Sequence, residues 1–308
     1  MTATVDAVPV AVPAVAEMGR NRARQFLRQF MASKLAVLGA VVFLIMVIAA
    51  LCAPLIAPQN PYDLRELNIM DSHLPPDSIG FDGAYYWLGS DGQGRDMFSG
   101  MLYGLRISLM VGIGSAVVAC MVGASLGLLA GFAGGRVDAV IMRIVDLHLA
   151  FPTILIALMI LAILGTGLLN VIVAIIIVEW AYYARTVRAT AMVERQREYI
   201  EAADSLVLSR PRVLFRHLLP NCLPPLIVIA TIQVARAISL EATLSFLGLG
   251  VPITEPSLGL LIANGYEHVI SGRYWISFYP GVALLLLIVS INLVGDHLRE
   301  ILNPSNQR

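Results

Sequence analysis

Apolar and polar positions alternate along this chain in long blocks. Six apolar runs, at residues 35–57, 105–132, 141–164, 168–183, 222–247 and 276–294, approach or exceed the length of a membrane-spanning helix, which takes about 20 mainly apolar residues. In hydrocarbon every backbone N–H and C=O must be satisfied within the segment, so runs of this length predict α-helices. The expected fold is an all-α polytopic membrane protein with six transmembrane helices. Residues 1–34 read as an N-terminal tail, 58–104 as a long outer link, 105–298 as a core of five helices, and 299–308 as a C-terminal tail.

Between the fourth and fifth runs the pattern changes. Residues 194–220 carry charge and helix formers, and Tyr199, Ala202, Ala203 and Leu206 recur at i, i+3, i+4 and i+7, an amphipathic helix period. Glu198 and Glu201 fall on its polar side. Ser209 is a candidate N-cap for a second short helix, with Pro211 suited to its first turn. Pro220 is read as the boundary at which the chain re-enters the membrane. The plain reading is a solvated loop with i,i+4 charge pairs; the other is a rigid projection for a soluble partner.

Gly123, Gly127, Gly131 and Gly135 repeat every four residues in the second run. In register they line one helix face and admit a second backbone closely; chance in a chain with 25 glycines is the alternative. The partner helix is not readable at this level.

Composition sharpens the class. Hydrophobic residues make up 58% of the chain and charged ones 14%, with a mean hydropathy of +0.78, against about 25% charged for a soluble domain. Net charge is zero, so nothing global suggests nucleic acid. Lys34 is the only lysine and follows Ser33 outside any Gly-rich loop, which excludes a P-loop nucleotide site from this sequence. Cys52, Cys120 and Cys222 are widely separated and lack metal or redox spacing. The five histidines are also scattered, so no metal site is expected. An enzyme would need a catalytic cluster, and the scattered His and Asp residues do not converge on one.

Charge also gives an orientation. With the N-terminus cytoplasmic, 16 of the 21 basic residues fall in inner segments, and the first outer link is acidic. The positive-inside rule then puts both termini and residues 194–220 in the cytoplasm. Arg236 and Glu241 in the fifth run and Glu179 in the fourth are intramembrane charges, which default to functional hypotheses. Arg236 pairs with Glu241 or another carboxylate, lines a watery path, or snorkels outward.

Several stretches carry a family resemblance. Glu201-Ala202-Ala203, with Leu219-Pro220 at the family spacing, resembles the coupling loop of ATP-binding-cassette importer permeases. Val207 stands where that pattern has Gly, and His217 where it has Ile. A β-branched residue disfavours positive φ, so the turn is expected to differ there or the helix to run on. Trp87 to Asp96 (WLGSDGQGRD), Ala150-Phe151-Pro152, Glu241 to Gly250 (EATLSFLGLG), and Gly295-Asp296-His297-Leu298-Arg299 followed by Asn303-Pro304 are similar to stretches of the peptide/nickel-type permeases. The resemblance covers most of residues 20–304. It implies a type I ABC importer-like permease with cytoplasmic coupling helices, resembling the dipeptide C-type subunits. ATPase coupling is then expected at Glu198, Glu201, Ala202, Ala203, Leu206, Val207, Leu219 and Pro220. For Glu241, which belongs to the EATLSFLGLG stretch, the resemblance implies helix packing or pairing near an outer gate. Implied partners are a homologous second permease, two ATPase subunits that bind the ATP and Mg, an extracytoplasmic binding protein and membrane lipid. The implied cargo is di- or oligopeptides, with nickel chelates, glutathione or another small solute as alternatives. An ion-coupled carrier working alone would show paired intramembrane acids and an internal repeat, and the sequence offers little of either.

Overall fold

The computed structural model describes residues 15–63, 65–252 and 254–302, with side chains from residue 24 except at 204. The extreme tails, including Arg308 and the Asn303-Pro304 motif, lie outside the described residues. In chain order the elements are α1 (Val15–Ala32), α2 (Lys34–Leu51), α3 (Ala53–Ile56), β1 (Ser78–Ile79), β2 (Tyr85–Tyr86), α4 (Met97–Ala133), α5 (Gly135–Ala150), α6 (Thr153–Leu164), α7 (Leu168–Glu194), α8 (Glu198–Ser205), α9 (Arg210–Arg212), α10 (Leu219–Phe246), α11 (Leu258–Tyr266) and α12 (Trp275–Leu302). Among the described residues, five helical stretches are long and apolar enough to cross a membrane, and six if a bent pair is counted as one.

That pair is α5 and α6, which meet at 91°. A single spanning helix over 141–164 was expected, and the structure breaks it into two. The cause is local. Phe151 precedes Pro152 and is extended (φ −92°, ψ 145°), the conformation into which a following proline ring forces its neighbour. Pro152 also has no N–H to continue the ladder.

The second apolar run is longer than expected. At 37 residues α4 spans about 55 Å, well beyond the roughly 30 Å of hydrocarbon. Asp96 caps its start, its carboxylate accepting from Ser99 N at 2.8 Å and Ser99 Oγ at 2.6 Å. The fourth run is likewise longer, reaching Glu194.

The seam between α4 and α7 is the centre of the fold. A Cβ on Gly123 would lie 2.7 Å from Tyr183 Cβ and closer still to the Trp180 carbonyl oxygen. One on Gly127 would lie 3.0 Å from Ala184 Cα, and one on Gly131 2.7 Å from Ala191 Cβ. Three glycines therefore share the predicted face, and their partner helix belongs to this chain. Gly135 does not join them. It has a positive φ of 54° at the start of α5, and nothing lies within 4 Å of where its Cβ would be. Its role is the tight turn from α4 into α5, not packing.

Apolar layers continue from this seam. At one end Leu128, Tyr183, Val187 and Leu226 pack with Ile200 and Ala203 of α8. In the middle Val111, Leu161, Val178 and Leu244 join α4, α6, α7 and α10. Ile238, Leu258, Leu287 and Ile291 tie α10 to α11 and α12. The two ends of the bundle are unlike. One carries the 58–96 link, α11 and the start of α12; the other carries α1, α8, α9 and the end of α12.

Candidate functional site

The segment between α7 and α10 is an arm built on a buried stripe. In α8, Ile200 and Ala203 are buried and Tyr199 is half-buried, so the packed face is one step from the Tyr199/Ala202/Ala203/Leu206 face the period suggested. Tyr199 OH donates to Glu194 at 2.8 Å and receives from Asn221 Nδ2 at 3.2 Å, tying the arm's two ends together. Glu198, Glu201 and Ala202 are exposed, and Leu206 and Val207 are 73% and 88% exposed.

Val207 has φ +54°. The expectation that a β-branched residue would alter this turn is therefore overturned. Leu208 N donates to Ala203 O at 3.2 Å, the long bond of a Schellman cap with residue 207 in the left-handed position, where glycine is usual. Leu208 packs into the same apolar layer as Ala203. That anchor and the cap bonds hold the valine in a backbone region it disfavours.

Beyond the turn, Ser209 precedes α9 as foreseen, but its side chain makes no capping hydrogen bond. The chain then runs helically from Arg210 to Phe246 without a second short helix or a boundary at Pro220. Residues Val213–Leu218 are π-helical, with Leu219 N donating to Leu214 O. Pro220 has no N–H, and its ring would crowd the Arg216 carbonyl in regular α-geometry. The wider π turn lets the helix pass it. Leu219 is half-buried and Pro220 exposed.

A line of cavities follows one face of α10. At the arm end a cavity of about 720 Å³ is lined by Glu194, Asn221, Pro224, Ile232 and Arg299, among others. Ile232 also lines the next, of about 450 Å³, together with Glu179, Arg236, Ser239 and Thr243. Ser239 and Thr243 lead into a third, and Phe246 joins that to a fourth, which reaches Asp91 and His268. From Pro224 to Phe246 this stripe covers about 33 Å of helix, a bilayer's hydrocarbon thickness.

The three intramembrane charges take different positions. Glu241 is fully buried and does not line any of these cavities. Its carboxylate accepts from Ser108 Oγ at 3.0 Å and Ser245 Oγ at 2.8 Å. No ion pair joins it to Arg236 among the described residues. Arg236 instead lies over the Tyr182 ring, 4.2 Å from its centroid, and donates to Tyr182 OH at 3.1 Å. Glu179 is 1% exposed, and its Oε2 has no hydrogen-bond partner. Of the readings open for Arg236, the direct Glu241 pair is excluded, and the residue lines a cavity with Glu179. Nothing in the sequence pattern singles out Tyr182, which orients Arg236.

The outer link folds into a small polar module. Strands β1 and β2 form a two-stranded hairpin, and Asp71, 2% exposed, accepts from Phe81 N at 2.7 Å and Tyr86 OH at 3.1 Å. Burial and that carboxylate raise the Tyr86 phenol far above its usual range. Asp91 accepts from the amides of Gln93 and Arg95, at 2.8 and 2.9 Å. Burial raises both the Asp91 and Asp96 carboxyls despite these bonds. Arg95 and Asp96 are buried, not a surface pair. Trp275 Nε1 donates to Ser90 O at 3.3 Å, and the His73 and His268 Nε2 atoms lie 3.3 Å apart, fastening the module to α12 and the turn before it.

One serine pattern needs its context. Gly123-Ala124-Ser125-Leu126-Gly127 has the letters of the G-x-S-x-G nucleophile elbow, which requires a strand-to-helix turn. Here it lies inside continuous α4, and Ser125 Oγ donates to Met121 O at 2.7 Å. Its glycines serve helix packing. Among the described residues no cluster of three or more His, Cys, Asp or Glu could hold a metal.

Comparison with known proteins adds the decisive observation. Residues 123–308 match the family described as the binding-protein-dependent transport system inner membrane component. The chain belongs to this family. Residues 21–76 further match the N-terminal TM domain of oligopeptide transport permease C. Among curated relatives of this family member, the di/tripeptide transport system permease protein DppC of Pseudomonas aeruginosa is 41% identical over 79% of this chain and 80% of its own length. The probable D,D-dipeptide transport system permease protein DdpC of Escherichia coli is 39% identical over 79% of each. The glutathione transport system permease protein GsiD of Pectobacterium atrosepticum is 41% identical over 71% of this chain and 72% of its own. The fold is that of the MetNI methionine ABC transporter in an inward-facing conformation, with a TM-score of 0.55 at 21% identity, covering 67% of this chain and 97% of the matched one. The protein is a multi-pass membrane component of the ABC importer class.

Proposed function

We propose that this chain is the membrane-spanning permease subunit of an ATP-driven importer for di- and oligopeptides in a bacterial cytoplasmic membrane. The observation that carries the reading is family membership across residues 123–308, joined to curated relatives named for peptide transport at about 40% identity. Both termini and the 194–220 arm face the cytoplasm, as the basic residues indicate. The chain itself hydrolyses nothing. Two separate ATPase subunits bind the ATP and Mg, a homologous second permease completes the path, and an extracytoplasmic binding protein delivers cargo.

The arm takes the mechanical input. Glu198, Glu201, Ala202, Leu206 and Val207 form its exposed surface, while Ala203 and Leu219 anchor it against the bundle. A short helix with a packed back and an apolar tip moves as a rigid body in a partner's groove. Because α9 to α10 is one helical stretch, displacement of the arm reaches the cavity-lining face directly. Alternating access then follows from closing one end of the cavity line as the other opens, with Arg236 and Glu179 lining the route. Glu241, seated among serines, holds α10 to α4.

The test is a proteoliposome carrying the full complex, with single cysteines at 201 and 207 in a background lacking Cys52, Cys120 and Cys222. Both positions should label only from the ATP-accessible side, and labelling should block ATP-dependent peptide uptake. Labelling from the binding-protein side, or uptake in proteoliposomes lacking the ATPase subunits, refutes the reading.

A further inference from the structure

The middle cavity on α10 has features that a simple conduit does not need. It holds about 450 Å³, within the usual size of small-molecule sites. Arg236 lies about 18 Å along the helix from Pro224 and about 15 Å from Phe246, so the cavity is midway along the route. A cation and a carboxylate both line it, and neither is spent on its neighbours. Arg236 lies over the Tyr182 ring, 4.2 Å from its centroid, donates one 3.1 Å hydrogen bond to Tyr182 OH, and reaches Gln233 Oε1 only at 3.5 Å. The remaining guanidinium donors have no hydrogen-bond partner among the described residues. Glu179 is buried, yet its Oε2 accepts nothing. Burying a polar oxygen without a partner costs stability, and a pair kept only for structure would close that gap. Thr153, Ser239 and Asn292 add neutral polar groups around the same space.

We infer that Arg236 and Glu179 form a transit subsite for the charged ends of a free peptide, the guanidinium taking the C-terminal carboxylate and the Glu179 carboxylate taking the N-terminal ammonium. A planar fork pre-set by a tyrosine suits a carboxylate. The unpartnered Glu179 oxygen suits an ammonium. Opposite charges in one cavity also keep a zwitterion from meeting a net barrier midway. The permease, and not only the binding protein, then discriminates peptides with free termini from capped ones. This inference rests on the peptide reading above.

The experiment uses the complete importer in lipid nanodiscs without binding protein. Saturation-transfer NMR reads contact with dialanine, its C-terminal amide and its N-acetyl derivative. Free dialanine should show saturation at both methyl groups, and each cap should reduce it several-fold. Arg236→Gln should remove the preference for a free carboxylate and Glu179→Gln that for a free ammonium, while Arg236→Lys should restore part of the first. Equal saturation of dialanine and both capped derivatives, or variants that keep the wild-type preference, overturns the subsite. Uptake of radiolabelled peptides by the same importer with its binding protein separates the two claims. If peptides enter but the wild type is indifferent to the caps, or the variants keep its preference, only the subsite fails. If no peptide enters, the peptide reading fails and takes the subsite with it.

Discussion

Adding one methyl group to Gly127 tests the α4–α7 seam most directly. The Cβ of Gly127→Ala would lie 3.0 Å from Ala184 Cα and nearer still to the Ala184 carbonyl oxygen. Comfortable carbon contacts sit at about 3.5–4.0 Å, so the helices must part by roughly an ångström. The obstacle is backbone, which cannot swing aside. A gap of about 0.5–1 Å forfeits a quarter to a half of each dispersion contact, and the seam includes buried Leu128, Tyr183 and Val187. Overpacking of this kind costs about 1–3 kcal/mol, set against up to about 1 kcal/mol gained in helix propensity. The control is Gly114→Ala on the same helix, where nothing lies within 4 Å of the new Cβ. Thermal melting of the purified complex at a fixed scan rate should show Gly127→Ala lowered by several degrees, at about 2–4 °C per kcal/mol. Gly114→Ala should be unchanged or raised. Equal shifts for both variants would refute the argument, because only one of them meets a neighbour.

Three further outcomes follow from local geometry. Val207→Gly should relieve the positive φ and stabilise the arm's cap, by less than the ~1–2 kcal/mol of left-handed strain because glycine gains freedom in the unfolded chain; amide exchange at Leu206 and Leu208 should slow, and faster exchange would count against the cap. Asp96→Ala removes the acceptor for Ser99 N and Oγ and should cost about 1 kcal/mol, read as a lowered melting temperature that Asp96→Asn largely restores. Burial, Arg273 and His268 together lower the His73 pKa below 6.5. The unfolded chain therefore takes up this proton at a higher pH than the folded one, so His73's contribution is full above pH 6.5 and is lost as pH falls below it. Melting temperatures of the wild type should drop more between pH 7 and pH 5.5 than those of His73→Gln; parallel slopes would show that His73 does not titrate as described.

The spans were legible because apolar run length alone decides them, and residues 222–247 or 276–294 leave no other physical option than helix. The glycine face was legible for the same reason of period, except at Gly135, where a four-residue count continued past the helix end. The elbow at Phe151-Pro152 does have a sequence signal, because a proline breaks a helix whatever motif it belongs to. The Val207 turn departs from intrinsic preference because tertiary anchors, Ala203 and Leu208, override it. The long-range partners of Arg236 and Glu241 carry no signal in one chain of letters. Tyr182 and Ser108 lie far away in sequence, and only the packing of α4, α7 and α10 brings them near.

The widened turn at Val213–Leu218 sets a phase relation. It winds the chain more loosely than an ordinary α-turn just before the cavity-facing stripe begins. Each residue of an α-helix advances the azimuth by about 100°. The wide turn takes up one extra residue, so winding the same residues as regular α-helix would rotate the arm by about a quarter-turn relative to Arg236. The bulge thus sets the angle between the 194–220 arm and the cavity-facing stripe of α10.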